Sequence, residues 1–307
     1  MQTSGADATA AQGAASEERL KSSAARLSIT AAAFLIVLKT VTGWLTGSIS
    51  VWASLLDSAM DIFASAINYF AVRAASAPPD EDHRYGHGKA ESLAGLFQSF
   101  VISVSGLLLI YEAVKRLVTP HPTEQEWLGV GTMAVAAVVS MALVARLRSA
   151  ARGTDSPALK ADSVHYVTDV YTNGAALGAL LVVALTGWTL ADPLVSIAIS
   201  AFILWSAFDV ARDSVNILMD RRLPREIDAQ VAAVVGRFRG EGVHGFHDLR
   251  TRRSGSAKFI DLHLEVDPAQ TLPEAHDLSV RVLRAIEAEI SRSRVQIHTD
   301  PAKRDDE

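Results

Sequence analysis

The chain has 307 residues, of which 49% are hydrophobic, and its mean hydropathy of +0.21 is too high for an ordinary soluble protein of this length. Its net charge is only -5 and its basic residues form no long run, which excludes nucleic acid as a partner. It contains no cysteine. Disulfides, thiolate catalysis and sulfur-ligated metal sites are therefore excluded, and any metal must be held by oxygen and imidazole nitrogen.

The N-terminal segment, residues 1–20, consists mainly of small, polar and acidic residues. It has no apolar core and no cleavage site, so it does not resemble a signal peptide. Its composition predicts a disordered cytoplasmic tail.

Six apolar stretches follow, each approaching the roughly 20 helical residues that span a bilayer. They are predicted at residues 27–45, 51–75, 93–118, 127–147, 164–186 and 191–219. The short links between them carry no Lys or Arg, whereas the links 73–89 and 146–160 are longer and basic. By the positive-inside rule the basic links are cytoplasmic, which predicts a multi-pass membrane protein with both termini in the cytoplasm. Lys115 and Arg116, near an outside link, are the exception to this pattern.

The character of the sequence changes after Met219, where charged residues end the last apolar stretch and Pro224 opens a soluble segment. A helix, two strands, a helix and a strand are predicted in turn, at residues 227–238, 246–251, 259–266, 271–290 and 295–298. The second of these strands alternates strictly between apolar and polar residues, which indicates a half-buried strand. Thr271 and Glu274 form a capping box ahead of the second helix. This order predicts a small α+β domain with its helices on one face of the sheet.

We therefore divide the chain into three parts. Residues 1–20 are predicted to be a disordered tail, 21–220 a six-helix transmembrane domain, and 221–307 a cytoplasmic α+β domain.

Two of the apolar stretches carry potential metal ligands at helical spacing. Asp57 and Asp61 lie in the second stretch, and His165 and Asp169 lie in the fifth. Each pair is four residues apart, so its members share one helical face. One charged side chain in hydrocarbon costs about 2.5–3.5 kcal/mol, so the three carboxylates cost on the order of 10 kcal/mol together. Such a cost indicates a function.

The alternative is that these groups only form interhelical hydrogen bonds or ion pairs, but neither stretch offers a Lys or Arg at membrane depth. Three carboxylates and one imidazole suit tetrahedral Zn²⁺, and also Fe²⁺, Cd²⁺, Co²⁺ or Mn²⁺, whereas Cu(I) is disfavoured. On ideal helices Asp61 lies roughly 15 Å from the outer end of its stretch and Asp169 about 25 Å. Either helix tilt or a fifth helix that continues into the cytoplasm would bring the two pairs level.

Four motifs occur in order along the chain: SLLDSAMDIFAS, HRYGHGKAES, ADSVHYVTD and HDLRTRRSG. Together they resemble the cation diffusion facilitator family, and within it the bacterial ferrous-iron and zinc efflux branch. The resemblance runs from residue 20 to residue 301. It implies six membrane spans, a cytoplasmic ferredoxin-like (metallochaperone-like) domain, exchange of metal for protons, and a homodimer. Carried over by position, it implies that Asp57, Asp61, His165 and Asp169 form the transport site.

A second group of potential ligands lies in the link after the second stretch. Asp80, His83 and His87 can close around one metal at the membrane surface, and Asp82 is an alternative ligand. The alternative is a solvated loop whose histidines bind nothing. In the resembled branch these positions form a second metal site.

A third group lies in the C-terminal segment. His263 is on the polar face of its strand, His298 and Asp300 share a face of theirs, and His247 and His276 can reach the same side. A merely solvated sheet face is the alternative. The resemblance implies that these five residues form a two-metal cluster between the soluble domains of the dimer. Thr299 departs from the family pattern, in which a glutamine commonly precedes the last aspartate.

Lys89 and Asp220 are predicted at the cytoplasmic edge of the third and sixth stretches, and their family counterparts pair in a charge interlock at the dimer interface. His121 and His244 match no motif and are expected at the surface.

The sequence thus predicts a secondary active transporter that exports Zn²⁺, and also Fe²⁺ or Cd²⁺, by proton antiport. The metal would be its substrate and also a structural or regulatory ligand. A membrane metal-dependent hydrolase is one alternative, but the chain has no H-E-x-x-H motif, no G-x-S-x-G motif and no nucleophile beside a base. A membrane-anchored metal sensor or organising protein is another, although an anchor needs no intramembrane ligands.

Overall fold

The computed structural model describes residues 4–46, 49–119, 127–186 and 190–302. They form two compact units, Met1–Val215 and Asn216–Glu307.

The first unit consists of six long helices: α1 (Ser4–Thr46), α2 (Ile49–Ala75), α3 (Lys89–Val118), α4 (Trp127–Thr154), α5 (Pro157–Thr186) and α6 (Ala191–Leu218). Among the described residues, α1, α3, α4 and α6 contain segments long and apolar enough to cross a membrane. The other two helices, α2 and α5, carry the predicted ligands, and parts of both have side chains outside the described set. The prediction of a helical, multi-pass membrane domain is confirmed.

Alanines contribute to the contacts between these helices, alongside larger apolar residues. Ala24 and Ala25 of α1 are buried with Leu147 of α4 and with Leu159 and Tyr166 of α5. Small side chains let helix backbones approach closely, which favours packing where lipid removes the hydrophobic drive for association. Many other large apolar side chains lie on the outside of the unit, as Leu107, Leu108 and Trp205 do.

The structure differs from the sequence prediction at the N-terminus. Residues 1–20 were expected to be disordered, but α1 begins at Ser4 and continues without a break into the apolar segment. Residues 4–20 are rich in alanine, the strongest helix former, and they extend an existing helix without a new nucleation step.

The link between the fourth and fifth helices is also shorter than predicted. Residues 146–160 were expected to form a basic link, but only residues 155–156 separate α4 from α5. Ser156 Oγ accepts a hydrogen bond from the backbone N–H of Leu159 at 3.3 Å, and Pro157 occupies the first helical position. The helix therefore starts seven residues before the predicted residue 164.

The second unit contains α7 (Arg225–Gly236), β1 (Val243–Ser254), β2 (Ala257–Val266), α8 (Leu272–Glu289) and β3 (Ser293–Pro301). The sheet order is β1-β2-β3, with β1 antiparallel and β3 parallel to the central strand. A parallel connection requires a crossover, which α8 supplies. The predicted capping box is confirmed, because Glu274 Oε2 accepts hydrogen bonds from the N–H and the Oγ1 of Thr271.

The core of this unit lies between one face of the sheet and its two helices. Ile260, Leu262 and Leu264 of β2 are fully buried against Leu278 and Val282 of α8. The polar residues that alternate with them must therefore face the other side of the sheet. The predicted α+β, metallochaperone-like fold is confirmed, and it leaves the histidine-bearing face uncovered by either helix.

Candidate metal centres

The membrane unit brings together three of the four predicted transport ligands. Asp61 of α2 and His165 and Asp169 of α5 each offer a ligand atom, and these atoms lie within 4.8 Å of one another. His165 Nε2 is 3.0 Å from Asp61 Oδ1. This contact places the ligands of the two helices at the same level, and α5 continues beyond the predicted start at residue 164 to Pro157.

The environment of this trio, called the membrane cluster below, suits a cation. His165 is 4% exposed, and the carboxylate of Asp61 is the partner of its Nε2. A buried imidazole nitrogen beside two carboxylates is a typical metal ligand. Asp57 lies one turn before Asp61 on α2, but its side chain is outside the described set. Its role as fourth ligand stays a prediction.

The loop between α2 and α3 holds a second group. Ligand atoms of Asp80, His83 and His87 lie within 4.8 Å of one another. His87 Nε2 is 3.2 Å from Asp80 Oδ2, and His83 Nδ1 is 3.5 Å from Asp80 Oδ1. Asp82 is not in this group, and its backbone N–H instead donates to Asp80 Oδ1.

The carboxylate of Asp80 is prepared for a cation. The backbone N–H of His83 donates to its Oδ1 at 2.6 Å. This hydrogen bond, followed by the neighbouring imidazoles, lowers the pKa of Asp80 despite some desolvation. The charged form, which is the form that binds metal, is therefore favoured. The loop turns at Gly86, whose φ of +84° is readily adopted only by glycine.

The polar face of the C-terminal sheet holds two overlapping groups. One consists of His263, His298 and Asp300, and the other of His247, Asp248 and His263. Strand register explains the arrangement, because His263 on the central strand is paired with His247 on one side and with His298 on the other. Facing residues on adjacent strands have side chains within contact distance.

Asp300 joins these histidines. Its Oδ2 is 2.8 Å from His263 Nδ1 and 3.3 Å from His247 Nε2, while its Oδ1 is 3.2 Å from His298 Nε2. The hydrogen bond with His263, reinforced by the other imidazoles, lowers the pKa of Asp300. A carboxylate with both oxygens among three imidazoles can bridge two metal ions.

One candidate ligand of the sheet groups, Asp248, was not predicted from the sequence, and one predicted ligand, His276, lies outside both groups, so its role stays a prediction. Asp248 joins the sheet group because its φ of +49° and the break in register after His247 turn it away from strict alternation. Its position in the sequence, directly after His247, could have suggested it as a ligand. His276 is exposed on α8, which packs on the opposite face of the sheet, and it belongs to no ligand group among the described residues. His244 is exposed as expected, and His121 lies outside the described residues.

Comparison with known proteins identifies the family. The family described as the cation efflux transmembrane domain matches residues 25–219, and the one described as the cation efflux protein cytoplasmic domain matches residues 223–302. The chain belongs to the cation diffusion facilitator family. It is thus a transporter of the cation efflux class and not an enzyme.

Curated relatives of this cation diffusion facilitator match it over nearly its full length. The cation-efflux pump FieF of Yersinia pestis (strain Pestoides F) is 43% identical over 279 residues, which cover 91% of this chain and 92% of that protein. FieF of Klebsiella pneumoniae is 42% identical over 284 residues, covering 92% and 94% of the two chains.

Solved structures match the C-terminal part. The metal-bound C-terminal domain of the CzcD transporter from Thermotoga maritima is 31% identical, with a TM-score of 0.24, and covers 25% of this chain and 87% of that one. A Zn form of CzrB is 34% identical, with a TM-score of 0.26, and covers 28% and 99%.

Two further residues of this cation diffusion facilitator were predicted to pair across the dimer. Lys89 is the first residue of α3. Asp220 follows α6, and its Oδ1 is 3.6 Å from Arg252 Nη1 in the same unit. A single chain contains no dimer interface, so their interlock stays a prediction.

Proposed function

We propose that this protein exports a divalent transition metal, foremost Zn²⁺ and also Fe²⁺ or Cd²⁺, from the cytoplasm in exchange for protons. The observation that carries the proposal is the membrane cluster, in which the half-buried Asp61 and Asp169 flank the buried His165 between two helices of a cation efflux domain. Its donor set of carboxylate and imidazole suits these metals, and the absence of cysteine disfavours Cu(I).

Exchange for protons follows from the chemistry of these ligands. An imidazole and carboxylates must be deprotonated to bind metal, so metal and protons compete for the same atoms. A free histidine has a pKa of about 6.5, which lets it change charge near neutral pH. Protons would leave when metal arrives from the cytoplasm and return when the metal is released outside.

We assign the protein to the bacterial inner membrane with both termini in the cytoplasm. The basic residues of the α2–α3 loop and of the adjacent ends of α4 and α5 support this orientation. The resemblance to the family, and its match to a cation efflux cytoplasmic domain, support a homodimer in which the polar sheet faces hold regulatory metal. The loop group of Asp80, His83 and His87 would hold a further metal at the membrane surface.

The test is metal uptake into proteoliposomes with an imposed pH gradient, with Zn²⁺, Fe²⁺, Cd²⁺ and Mn²⁺ compared. We expect flux to follow the proton gradient in the wild type and to fall to the level of protein-free liposomes in Asp61→Ala and His165→Ala. The ranking of the ions then names the substrate.

Matched controls are Asp209→Ala on α6 and His244→Ala on β1, because both residues are exposed and neither belongs to a ligand group among the described residues. Both controls should transport like the wild type. Flux that survives in Asp61→Ala and His165→Ala would reject the membrane cluster as the transport site, and flux that ignores the pH gradient would indicate a channel.

A further inference from the structure

One buried acid in the membrane unit, Asp162, belongs to none of the four ligand groups. Asp162 is fully buried on α5, three residues before His165 and seven before Asp169. These spacings place all three residues on one side of the helix. Asp162 therefore continues the membrane cluster toward the start of α5 at Pro157, over about 10 Å of helix.

The contacts of Asp162 leave its charge poorly compensated. Its Oδ2 accepts a hydrogen bond from Ser28 Oγ of α1 at 2.5 Å, whereas its Oδ1 has no hydrogen-bond partner among the described residues. Among the residues that the structure describes, no Lys or Arg forms an ion pair with Asp162. A buried carboxylate whose partners are one hydroxyl, the neighbouring Asn68 side chain and the His165 imidazole is still costly, which argues that Asp162 serves a cation rather than stability.

Polar side chains on α2 run in the same direction. Ser65 and Asn68 lie four and seven residues after Asp61, and both are buried. Ser65 Oγ is hydrogen-bonded to Tyr166 Oη at 3.0 Å, next to the membrane cluster on α5. The side chain of Asn68 lies close enough to Asp162 of α5 to interact with its carboxylate. The two helices thus share a buried polar track that leads away from the membrane cluster.

Helix α1 contacts this polar track through Ser28. Besides the hydrogen bond from Ser28 Oγ to Asp162, the carbonyl oxygen of Ser28 accepts a hydrogen bond from Tyr166 Oη at 3.2 Å. Ser28 is itself fully buried. One residue of α1 therefore contacts both Asp162 and the residue that follows His165.

We propose that Asp162 is a relay carboxylate, which the divalent cation contacts on its way between the cytoplasmic end of α5 and the membrane cluster, and that Ser28 covers it when this route is closed. The proposal rests on the proposed function, which puts Pro157 on the cytoplasmic side. A purely structural role, in which Asp162 only anchors α1 to α5, is the competing explanation.

The test uses the full chain in proteoliposomes and measures Zn²⁺ flux together with equilibrium Zn²⁺ binding. In Asp162→Asn the amide oxygen still accepts the Ser28 hydrogen bond, but the negative charge is gone. A relay role predicts that the maximal rate falls about 10- to 100-fold while the Zn²⁺ affinity of the membrane cluster changes little. Asp162→Glu restores the charge and should recover part of the rate. An anchor role predicts a rate close to wild type for Asp162→Asn.

Ser28→Ala is the complementary variant, since it removes the covering hydroxyl and keeps the carboxylate. A relay role predicts a flux equal to or above that of the wild type, whereas an anchor role predicts a loss of flux and of thermal stability. This variant decides the question if Asp162→Asn does not fold. Asp209→Asn, an exposed acid on α6, is the matched control and should behave like the wild type.

Wild-type flux in Asp162→Asn, or lost flux in Ser28→Ala, would overturn the relay. A loss of Zn²⁺ binding in Asp162→Asn as complete as in Asp61→Ala would also overturn it, because Asp162 would then be part of the membrane cluster. Asp61→Ala is measured in parallel. If its flux is undiminished, the proposed function fails; if its flux is lost, the results for Asp162 and Ser28 test the relay alone.

Discussion

At the scale of single residues, Asp300 contacts all three histidines of the C-terminal ligand groups. Its two oxygens contact His247 on β1, His263 on β2 and His298 on its own strand, β3. Without this carboxylate the three imidazoles would face each other with no negative charge between them. A metal site built only from them would also lose its bridging ligand.

Asp300→Asn should therefore lower the metal content of the C-terminal groups without unfolding the domain. We expect the affinity of these groups for Zn²⁺ to fall at least about 10-fold, because the loss of even a residue that orients a metal ligand has an effect of this size. The measurement is the Zn²⁺ content of the purified full-length protein at increasing free Zn²⁺.

The matched control is Asp261→Asn, an exposed acid on the same polar face of β2 that belongs to no ligand group among the described residues. It should bind as much Zn²⁺ as the wild type. Equal binding curves for Asp300→Asn and Asp261→Asn would show that this sheet face holds no metal.

At the scale of elements, α1 is tied to its neighbours by buried polar contacts one above the other. Lys21 Nζ is 2.7 Å from Glu91 Oε1 of α3, and Ser28, seven residues later, binds Asp162 of α5. Glu91 also accepts a hydrogen bond from Ser156 Oγ, so it joins three segments of the chain. Residues seven apart share a helical face, and α1 therefore presents a polar stripe to the rest of the unit.

Lys21→Ala should destabilise the membrane unit, because it leaves the carboxylate of Glu91, 1% exposed, without its cation. Removing one partner of a buried ion pair costs about 3–5 kcal/mol. Thermal unfolding in detergent should show a clear drop in Tm.

Arg26→Ala is the control, since Arg26 is an exposed basic residue on the same helix. Surface substitutions usually change stability by less than about 0.5 kcal/mol. A similar Tm for both variants would mean that the Lys21–Glu91 pair contributes no more than a surface contact.

At the scale of the whole molecule, the protein combines a membrane unit that holds two ligand groups with a separate unit that holds two more. We propose that metal on the C-terminal domain strengthens the dimer and biases the membrane unit toward transport. A ligand shifts such an equilibrium only through its different affinity for the two states.

Truncation after Asp220 should leave transport possible but remove its activation by metal. The rate measured against cytoplasmic Zn²⁺ should then rise only through saturation of the membrane cluster. Full-length Asp300→Asn should behave in the same way, which separates loss of metal from loss of the domain. An unchanged Zn²⁺ dependence in both proteins would reject a sensing role.

Local patterns in the sequence determined much of this protein. The six apolar stretches, the alternation of β2, the capping box at Thr271 and the i, i+4 spacing of His165 and Asp169 depend only on neighbouring residues. Helical and extended backbones have fixed periods, so such patterns translate directly into elements and faces. They also led to the cation diffusion facilitator family and to most members of the ligand groups.

Only the tertiary structure decided which of these faces meet. It placed Asp61 against His165, brought Ser28 to Asp162 across more than a hundred residues of chain, and left His276 on the far side of its sheet from the other histidines. It also turned Asp248 into the sheet group through a break in register that simple alternation does not predict. These features arise from long-range packing and backbone irregularity, and the periodicity of a single element contains no information about either.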